Sequence, residues 1–137
     1  MDSRKHFGKN KRTMIQPRQS YLRRRALSFK YAFSGIAAFL YSEPHARIHA
    51  VATVLVTALG IWCHLSGPQW IAIVIVMGMV WITEMLNTII EKMMDHLSPD
   101  YHPRVKWIKD VAAGAVLIAA IVAVITGAVV FLPYFIN

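Results

Sequence analysis

Hydrophobic and polar residues are distributed along this chain in long blocks. No Asp, Glu, Lys or Arg occurs from Ile48 to Thr83, and the segment 64–69, with its Gly and Pro, divides that stretch in two. A helix needs about 20 mostly apolar residues to cross a bilayer. The pattern therefore predicts transmembrane helices over about 47–65, 69–96 and 110–131.

The segment that precedes the spans has a different pattern. Residues 1–18 are polar and basic, which predicts a disordered tail. Residues 20–41 mix aromatic and aliphatic side chains with basic and small ones, as is typical of an amphipathic helix at the membrane surface. An amphipathic core helix is the alternative. Ser42 as N-cap and Pro44 in the first turn then predict a helix start.

The predicted fold class follows from these blocks. It is an all-α membrane protein with an N-terminal amphipathic surface helix and three transmembrane helices. Residues 19–137 form the membrane domain, after the tail 1–18. One domain suits a chain of 137 residues.

Composition and charge support the membrane interpretation. The chain is 56% hydrophobic, yet its net charge is +8, and ten of its fifteen Lys and Arg residues fall within the first thirty positions. Such asymmetry suits nucleic acid or an anionic membrane surface, and the apolar remainder favours the membrane. By the positive-inside rule, the N-terminus is expected to be cytoplasmic. Cys63 is the single cysteine, so neither an internal disulfide nor a thiolate zinc cluster is expected.

Polar side chains interrupt the second predicted span and share one face of its helix. At 100° per residue, the positions that fall within about 100° of one another are Glu84, Asn87, Thr88, Glu91 and Asp95. An ionisable side chain at membrane depth costs about 2.5 to 3.5 kcal/mol on insertion scales, so it suggests a functional site. A polar packing stripe and a path for ions are the structural alternatives.

Carboxylates that converge with lysines at a water–lipid boundary suit phosphoryl transfer. Acidic oxygens hold Mg²⁺ beside nucleotide phosphates, a cation neutralises phosphate charge, and a further carboxylate accepts the proton of the attacking hydroxyl. Glu84 lies about 10 Å deeper along the helix than Glu91. The predicted topology brings to the level of Glu91 the side chains of Arg24, Glu43, Lys109 and Asp110. The sequence contains neither a P-loop motif nor Gly-x-Gly-x-x-Gly, which excludes those nucleotide sites at motif level.

Several motifs resemble one family closely. The strings are Glu84-x-x-Asn87-Thr88-x-x-Glu91-x-x-x-Asp95, Tyr101-His102 and Lys109-Asp110-x-Ala-Ala-Gly-Ala-Val-Leu-Ile118, with Tyr31-x-x-x-Gly35 and Glu43-x-x-x-Arg47 upstream. Together they resemble the bacterial integral-membrane diacylglycerol kinase family, which includes the undecaprenol kinases. The resemblance covers about residues 24–132.

The resemblance implies a homotrimer in the bacterial cytoplasmic (inner) membrane, with active sites shared between subunits. It implies transfer of the γ-phosphate of ATP to a lipid primary alcohol, with Mg²⁺. Glu84 resembles the catalytic base, Asn87 the residue that orients substrate, and Glu43 and Glu91 the carboxylates that hold the metal. The positions that resemble ATP contacts are Arg24, Tyr31, Glu43, Glu91, Asp100, Tyr101, His102, Lys109 and Asp110.

The lipid substrate is predicted from fewer residues. Family members active on diacylglycerol tend to carry an acid where this chain has His49, and Arg47-Ile48-His49 is similar to the undecaprenol kinase branch. The resemblance therefore favours undecaprenol over diacylglycerol. Taken alone, His49 is more typical of an interfacial polar residue than of a ligand.

A hypothesis from another class is a small non-catalytic membrane protein that uses the polar stripe for assembly or ion passage. A stripe on one helix has no need of Glu43 or of Lys109-Asp110. A nucleotide site does need such outlying charges, so the sequence favours the enzyme. No nucleic-acid partner is expected.

Overall fold

The computed structural model describes residues 21–136, with side chains from residue 23. Within that range the chain is helical and contains no strand. The helices are α1 (Tyr21–Ser42), α2 (Pro44–Trp62), α3 (Gly67–Leu97), α4 (Pro103–Phe131) and the short α5 (Pro133–Ile136). The stretches long and apolar enough to cross a membrane are Pro44–Trp62, Gly67–Leu97 and Pro103–Ile136. The all-α class and the three candidate spans are thus confirmed.

The chain divides into two compact units, Met1–Ser34 and Gly35–Asn137, and the division falls within α1. In the first unit, Phe29 and Tyr31 expose about two thirds of their surface. Apolar side chains that face outward in this way suit a membrane surface, and the surface helix over 20–41 stays a prediction. The tail predicted for 1–18 lies outside the described residues.

Proline sets the start of two helices. Pro44 occupies the first turn of α2, and Glu43, not Ser42, is the N-cap residue, with an extended backbone. Pro103 begins α4, where the His102 Nδ1 accepts a hydrogen bond from the Arg104 backbone N–H at 3.2 Å. Proline suits a first turn because backbone N–H groups there have no intrahelical acceptor, so the N–H that proline lacks is not needed.

The predicted spans and the observed helices differ most at α4. The helix begins at Pro103, whereas the predicted span begins near Asp110, because charged residues interrupt the apolar pattern of its first turns. These residues are Arg104, Lys106 and Lys109. At its other end α4 stops at Phe131, and Pro133 starts α5 where the prediction had the span close.

The helices α2, α3 and α4 run antiparallel in sequence order, with α3 packed against both neighbours. His64 makes the turn from α2 to α3 with a φ of 52°, a left-handed conformation that is uncommon outside glycine. The core next to this turn contains Cys63, Leu65, Ile73, Val130 and Phe131. The opposite end of the bundle holds the charged residues, so the fold separates an apolar end from an ionic one.

Candidate active site

Glu84 lies on the inner face of α3. Only 5% of its surface is exposed, and Thr88, one turn further on, exposes 8%. The Glu84 Oε2 is 4.0 Å from the Nε2 of His49 on α2. A carboxylate in such a dry setting interacts strongly with the few polar groups around it, because the local dielectric constant is low.

Asn87 and Glu91 extend this polar face toward the ionic end of α3. The Asn87 Nδ2 donates a hydrogen bond to the Glu91 Oε1 at 3.2 Å. A carboxylate can only accept, so this bond fixes which amide atom faces Glu91. The Asn87 Oδ1 is buried and has no hydrogen-bond partner among the residues the structure describes. Asn87 also lines a cavity of about 320 Å³ between α3 and α4, with Thr83 and Trp107.

Glu43 joins the ionic end of α3 through an ion pair. Its Oε1 accepts from the Lys92 Nζ at 2.7 Å and from the Ser42 Oγ at 3.0 Å. The Lys92 ammonium, and after it the Ser42 hydroxyl, lower the pKa of the Glu43 carboxyl below its ordinary value. Lys92 follows Glu91 in sequence, so this contact brings Glu43 to the end of α3 where Glu91 lies, as the predicted topology requires.

The first turns of α4 carry two further ion pairs. The Lys109 Nζ donates to the Asp95 Oδ1 of α3 at 2.9 Å, and Lys106 pairs with Asp110 one turn along α4. Both lysines are thus charge-paired within the chain, and Lys109 is the one that crosses between helices. Its partner Asp95 exposes 66% of its side chain, so the pair is open to an incoming anion.

Three further predicted nucleotide contacts, Asp100, Tyr101 and His102, lie in the connection between α3 and α4. Tyr101 is 80% exposed in the connection before α4. The Asp100 backbone carbonyl accepts from Ser98, and the His102 side chain is engaged in capping α4. Arg24 and Tyr31 belong to the unit Met1–Ser34, where the Arg24 carbonyl accepts a bond from Ser28.

Lys92 was not assigned a role from the sequence, and His49 was considered only for the choice of lipid. Lys92 pairs with Glu43, and His49 faces Glu84. The signal that would have found both is the register of the α2–α3 hairpin. A third contact between the same two helices joins the Trp81 Nε1, as donor, to the Thr53 Oγ1 at 3.0 Å. In antiparallel neighbours the two position numbers of each contact have a nearly constant sum, so one known contact locates the others.

Two criteria bear on a metal at the ionic end. The described residues hold no group of three or more His, Cys, Asp or Glu side chains around one point. Mg²⁺ keeps several waters and is usually bound through one or two carboxylates together with substrate phosphates. Glu43 and Glu91 meet that smaller requirement, because only their Oε1 atoms are engaged by the neighbours described above.

Comparison with known proteins identifies the family. The family model of prokaryotic diacylglycerol kinase matches residues 30–131. The chain belongs to this family. The family membership predicted from the motifs is therefore confirmed, and so is the predicted enzyme class, a lipid phosphotransferase.

Curated relatives carry two related names. The undecaprenol kinase of Bacillus subtilis (strain 168) is 37% identical over 106 residues, which covers 77% of this chain and 86% of the relative. A diacylglycerol kinase of Synechocystis is 37% identical over 108 residues, with 78% of this chain and 62% of the relative covered. The diacylglycerol kinase of Escherichia coli (strain K12) is 31% identical over 105 residues, with 77% and 86% covered.

Proposed function

We propose that this protein is an integral-membrane lipid kinase that transfers the γ-phosphate of ATP to the primary hydroxyl of a membrane lipid. Family membership supports the reaction class. The site is assigned because one apolar helix, α3, carries both a buried carboxylate, Glu84, and, further along, Lys92, which forms an ion pair with Glu43. A lipid hydroxyl and a nucleotide phosphate meet at such a boundary.

The proposal gives Glu84 the role of general base. Its carboxylate takes the proton of the lipid hydroxyl as the oxygen attacks the γ-phosphorus, a role that needs a positioned acceptor within hydrogen-bond reach of the hydroxyl. Asn87 is proposed to orient the acceptor. Its amide is already held by Glu91 through Nδ2, and its free Oδ1 suits a hydroxyl donor.

The ionic end of the bundle is proposed to bind MgATP. Glu43 and Glu91 would hold the Mg²⁺, which neutralises phosphate charge during transfer. Lys109 is proposed to exchange Asp95 for a phosphate oxygen. The other proposed ATP contacts, supported by resemblance, are Arg24, Tyr31, Asp100, Tyr101, His102 and Asp110.

Undecaprenol is the proposed acceptor. The support is the Arg47-Ile48-His49 string together with a relative named undecaprenol kinase. Overall identity does not discriminate, because a relative named diacylglycerol kinase is also 37% identical.

The proposed setting is the bacterial cytoplasmic membrane, with the N-terminus in the cytoplasm. The excess of Lys and Arg before α2 and around the α3–α4 connection supports that orientation. A homotrimer with active sites shared between subunits is proposed from the resemblance. The many exposed aliphatic side chains on α2, α3 and α4 suit contact with lipid or with other copies of the chain.

The test is transfer of radiolabelled phosphate from ATP in mixed micelles, with undecaprenol and diacylglycerol offered separately, with and without Mg²⁺. The variant is Glu84→Gln, which keeps the shape of the side chain and removes the base. His64→Asn in the distant turn is the matched control, because Asn tolerates a positive φ.

We expect Mg²⁺-dependent labelling of undecaprenol by the wild type and by His64→Asn. Glu84→Gln should lose about 10²- to 10⁴-fold in kcat, the usual contribution of a general base. Labelling of diacylglycerol alone would reverse the proposed substrate and keep the mechanism. Full turnover by Glu84→Gln would contradict the role given to Glu84.

A further inference from the structure

A base buried as deeply as Glu84 has to release the proton that it takes in each turnover. Its side chain is 7% exposed, so direct return of the proton to water is obstructed. Unless the proton leaves, the carboxyl stays neutral and cannot act again. Turnover therefore requires a neighbouring group that can accept the proton from Glu84.

His49 is placed to do so. Its Nε2 lies 4.0 Å from the Glu84 Oε2, and its side chain is 23% exposed, several times more than that of Glu84. The gap exceeds a direct hydrogen bond, yet one bridging water or hydroxyl oxygen about 2.8 Å from each atom spans it. Catalytic contacts of this kind are often long before substrate binds.

The imidazole ring is held in place by its neighbours. Trp81 contacts it edge to face, with ring centroids 6.4 Å apart and an interplanar angle of 62°. Trp81 is itself fixed, because its Nε1 donates to the Thr53 Oγ1 at 3.0 Å and Phe39 packs against its ring. A ring oriented by packing keeps its Nε2 directed at Glu84.

The exposed side of His49 opens into a cavity. The cavity has a volume of about 340 Å³ and lies between α2, α3 and α4. The α4 residues that line it are Ala120, Ala123, Val124, Gly127, Ala128 and Phe131, all of them apolar. The polar groups of Thr53 and Trp81 are hydrogen-bonded to each other. Among the residues that line this cavity, the titratable one is His49.

From this arrangement we propose that His49 is a positioning residue for Glu84 that orients its carboxylate and carries its proton away. The inference rests on the lipid-kinase function proposed above. In the chemical step the O–H bond of the lipid alcohol breaks and its proton goes to Glu84. The alcohol oxygen bonds to the γ-phosphorus, the bond from that phosphorus to the β–γ bridging oxygen breaks, and ADP leaves with the electron pair. The proton then passes from the Glu84 Oε2 to the His49 Nε2 and on to solvent.

Two substitutions separate the two parts of this role. His49→Gln keeps an N–H group that can orient Glu84 but cannot take up a proton. His49→Ala removes both functions and leaves space into which added imidazole can diffuse from the cavity. His64→Asn is the control for loss of a histidine, and Glu84→Gln is the control for loss of the base.

The experiment is steady-state and single-turnover phosphate transfer to the lipid, with imidazole added in steps. We expect kcat of His49→Ala and His49→Gln to fall at least about tenfold, with KM for ATP within about twofold of the wild type. Imidazole should restore His49→Ala in a concentration-dependent way and leave Glu84→Gln inactive. A single turnover should be slowed less than steady-state turnover, because the proton has to leave Glu84 only before the next turnover.

The proposal is overturned if both variants keep kcat within twofold of the wild type, or if His49→Ala loses activity that imidazole does not restore. Full activity of His49→Gln alone would also overturn it, since that variant cannot carry a proton. A wild type that labels no lipid alcohol would instead refute the proposed function itself, and with it this inference. The two failures are distinguished by the wild-type arm.

Discussion

Replacing Asn87 with Leu is expected to separate stability from activity. The Asn87 Oδ1 is buried without a partner in the described residues, and a buried polar atom in that state costs about 1 to 3 kcal/mol. Leucine has nearly the same size and removes that cost. It also removes the Nδ2 bond to Glu91, which contributes about 1 kcal/mol because Glu91 is half-buried and water can replace the donor.

The difference between these terms favours the variant by about 0 to 2 kcal/mol in unfolding free energy. The midpoint of thermal unfolding in micelles should therefore be equal to or above that of the wild type. The rate of lipid phosphorylation should fall about 10²-fold, because the acceptor is no longer oriented. A site residue that lowers stability in this way is a common result of selection for function.

Asn87→Asp is the matched variant at the same position. It keeps the shape of the side chain but replaces the amide donor with a carboxylate beside Glu91, and two such charges repel each other. Its unfolding midpoint should fall below that of the wild type, while its activity is also lost. If Asn87→Leu is instead clearly less stable than the wild type, the Oδ1 has a partner in the assembled protein, and the reasoning from an unpaired atom is refuted.

Two further predictions concern the ion pairs. Lys109→Met should raise KM for ATP about tenfold or more while the unfolding midpoint changes little, since exposed pairs contribute little to stability. Lys92 lowers the pKa of Glu43, so their pair stabilises the fold fully above pH 4.5, the ordinary value of such a carboxyl, and this stabilisation is lost as pH falls through the lower folded value. Lys92→Met should therefore show a smaller loss of unfolding midpoint on acidification.

Each of these predictions has a control within the chain. Asp95→Asn breaks the same pair but leaves Lys109 in place, so it should keep KM for ATP near the wild-type value. A rise in KM equal to that of Lys109→Met would mean that the pair acts structurally. For the acid effect, Glu43→Gln should flatten the pH dependence as Lys92→Met does. If the unfolding midpoint of both variants falls with pH as steeply as that of the wild type, Glu43 is not the cause of the acid sensitivity.

Much of the fold could be predicted because the bilayer constrains it strongly. Every backbone polar group must be satisfied within the span, so long apolar blocks indicate helices, and α2, α3 and α4 were found where such blocks occur. The start of α4 at Pro103 was not predicted. Charged residues interrupt its first turns, and hydropathy does not report a helix that extends beyond the apolar part of a span.

The candidate site was predictable in its residue types and less so in its pairings. Glu84 and Asn87 were identified from polarity at membrane depth, which depends on one helix alone. The contacts of Glu43 with Lys92 and of His49 with Glu84 depend on the register between α2 and α3. The Gly and Pro of segment 64–69 predicted a break between these helices, but they do not give the register between them.

The ties at the two ends of the α3–α4 hairpin have a mechanical consequence. At one end Lys109 pairs with Asp95, and at the other the hydroxyl of Tyr134, on α5 directly after α4, donates to the Gln69 Oε1 at 2.9 Å. Helices joined at both ends cannot slide past each other without breaking one tie. A movement that keeps both ties therefore has to involve α2, and such a movement would change the distance between the His49 imidazole and the Glu84 carboxylate.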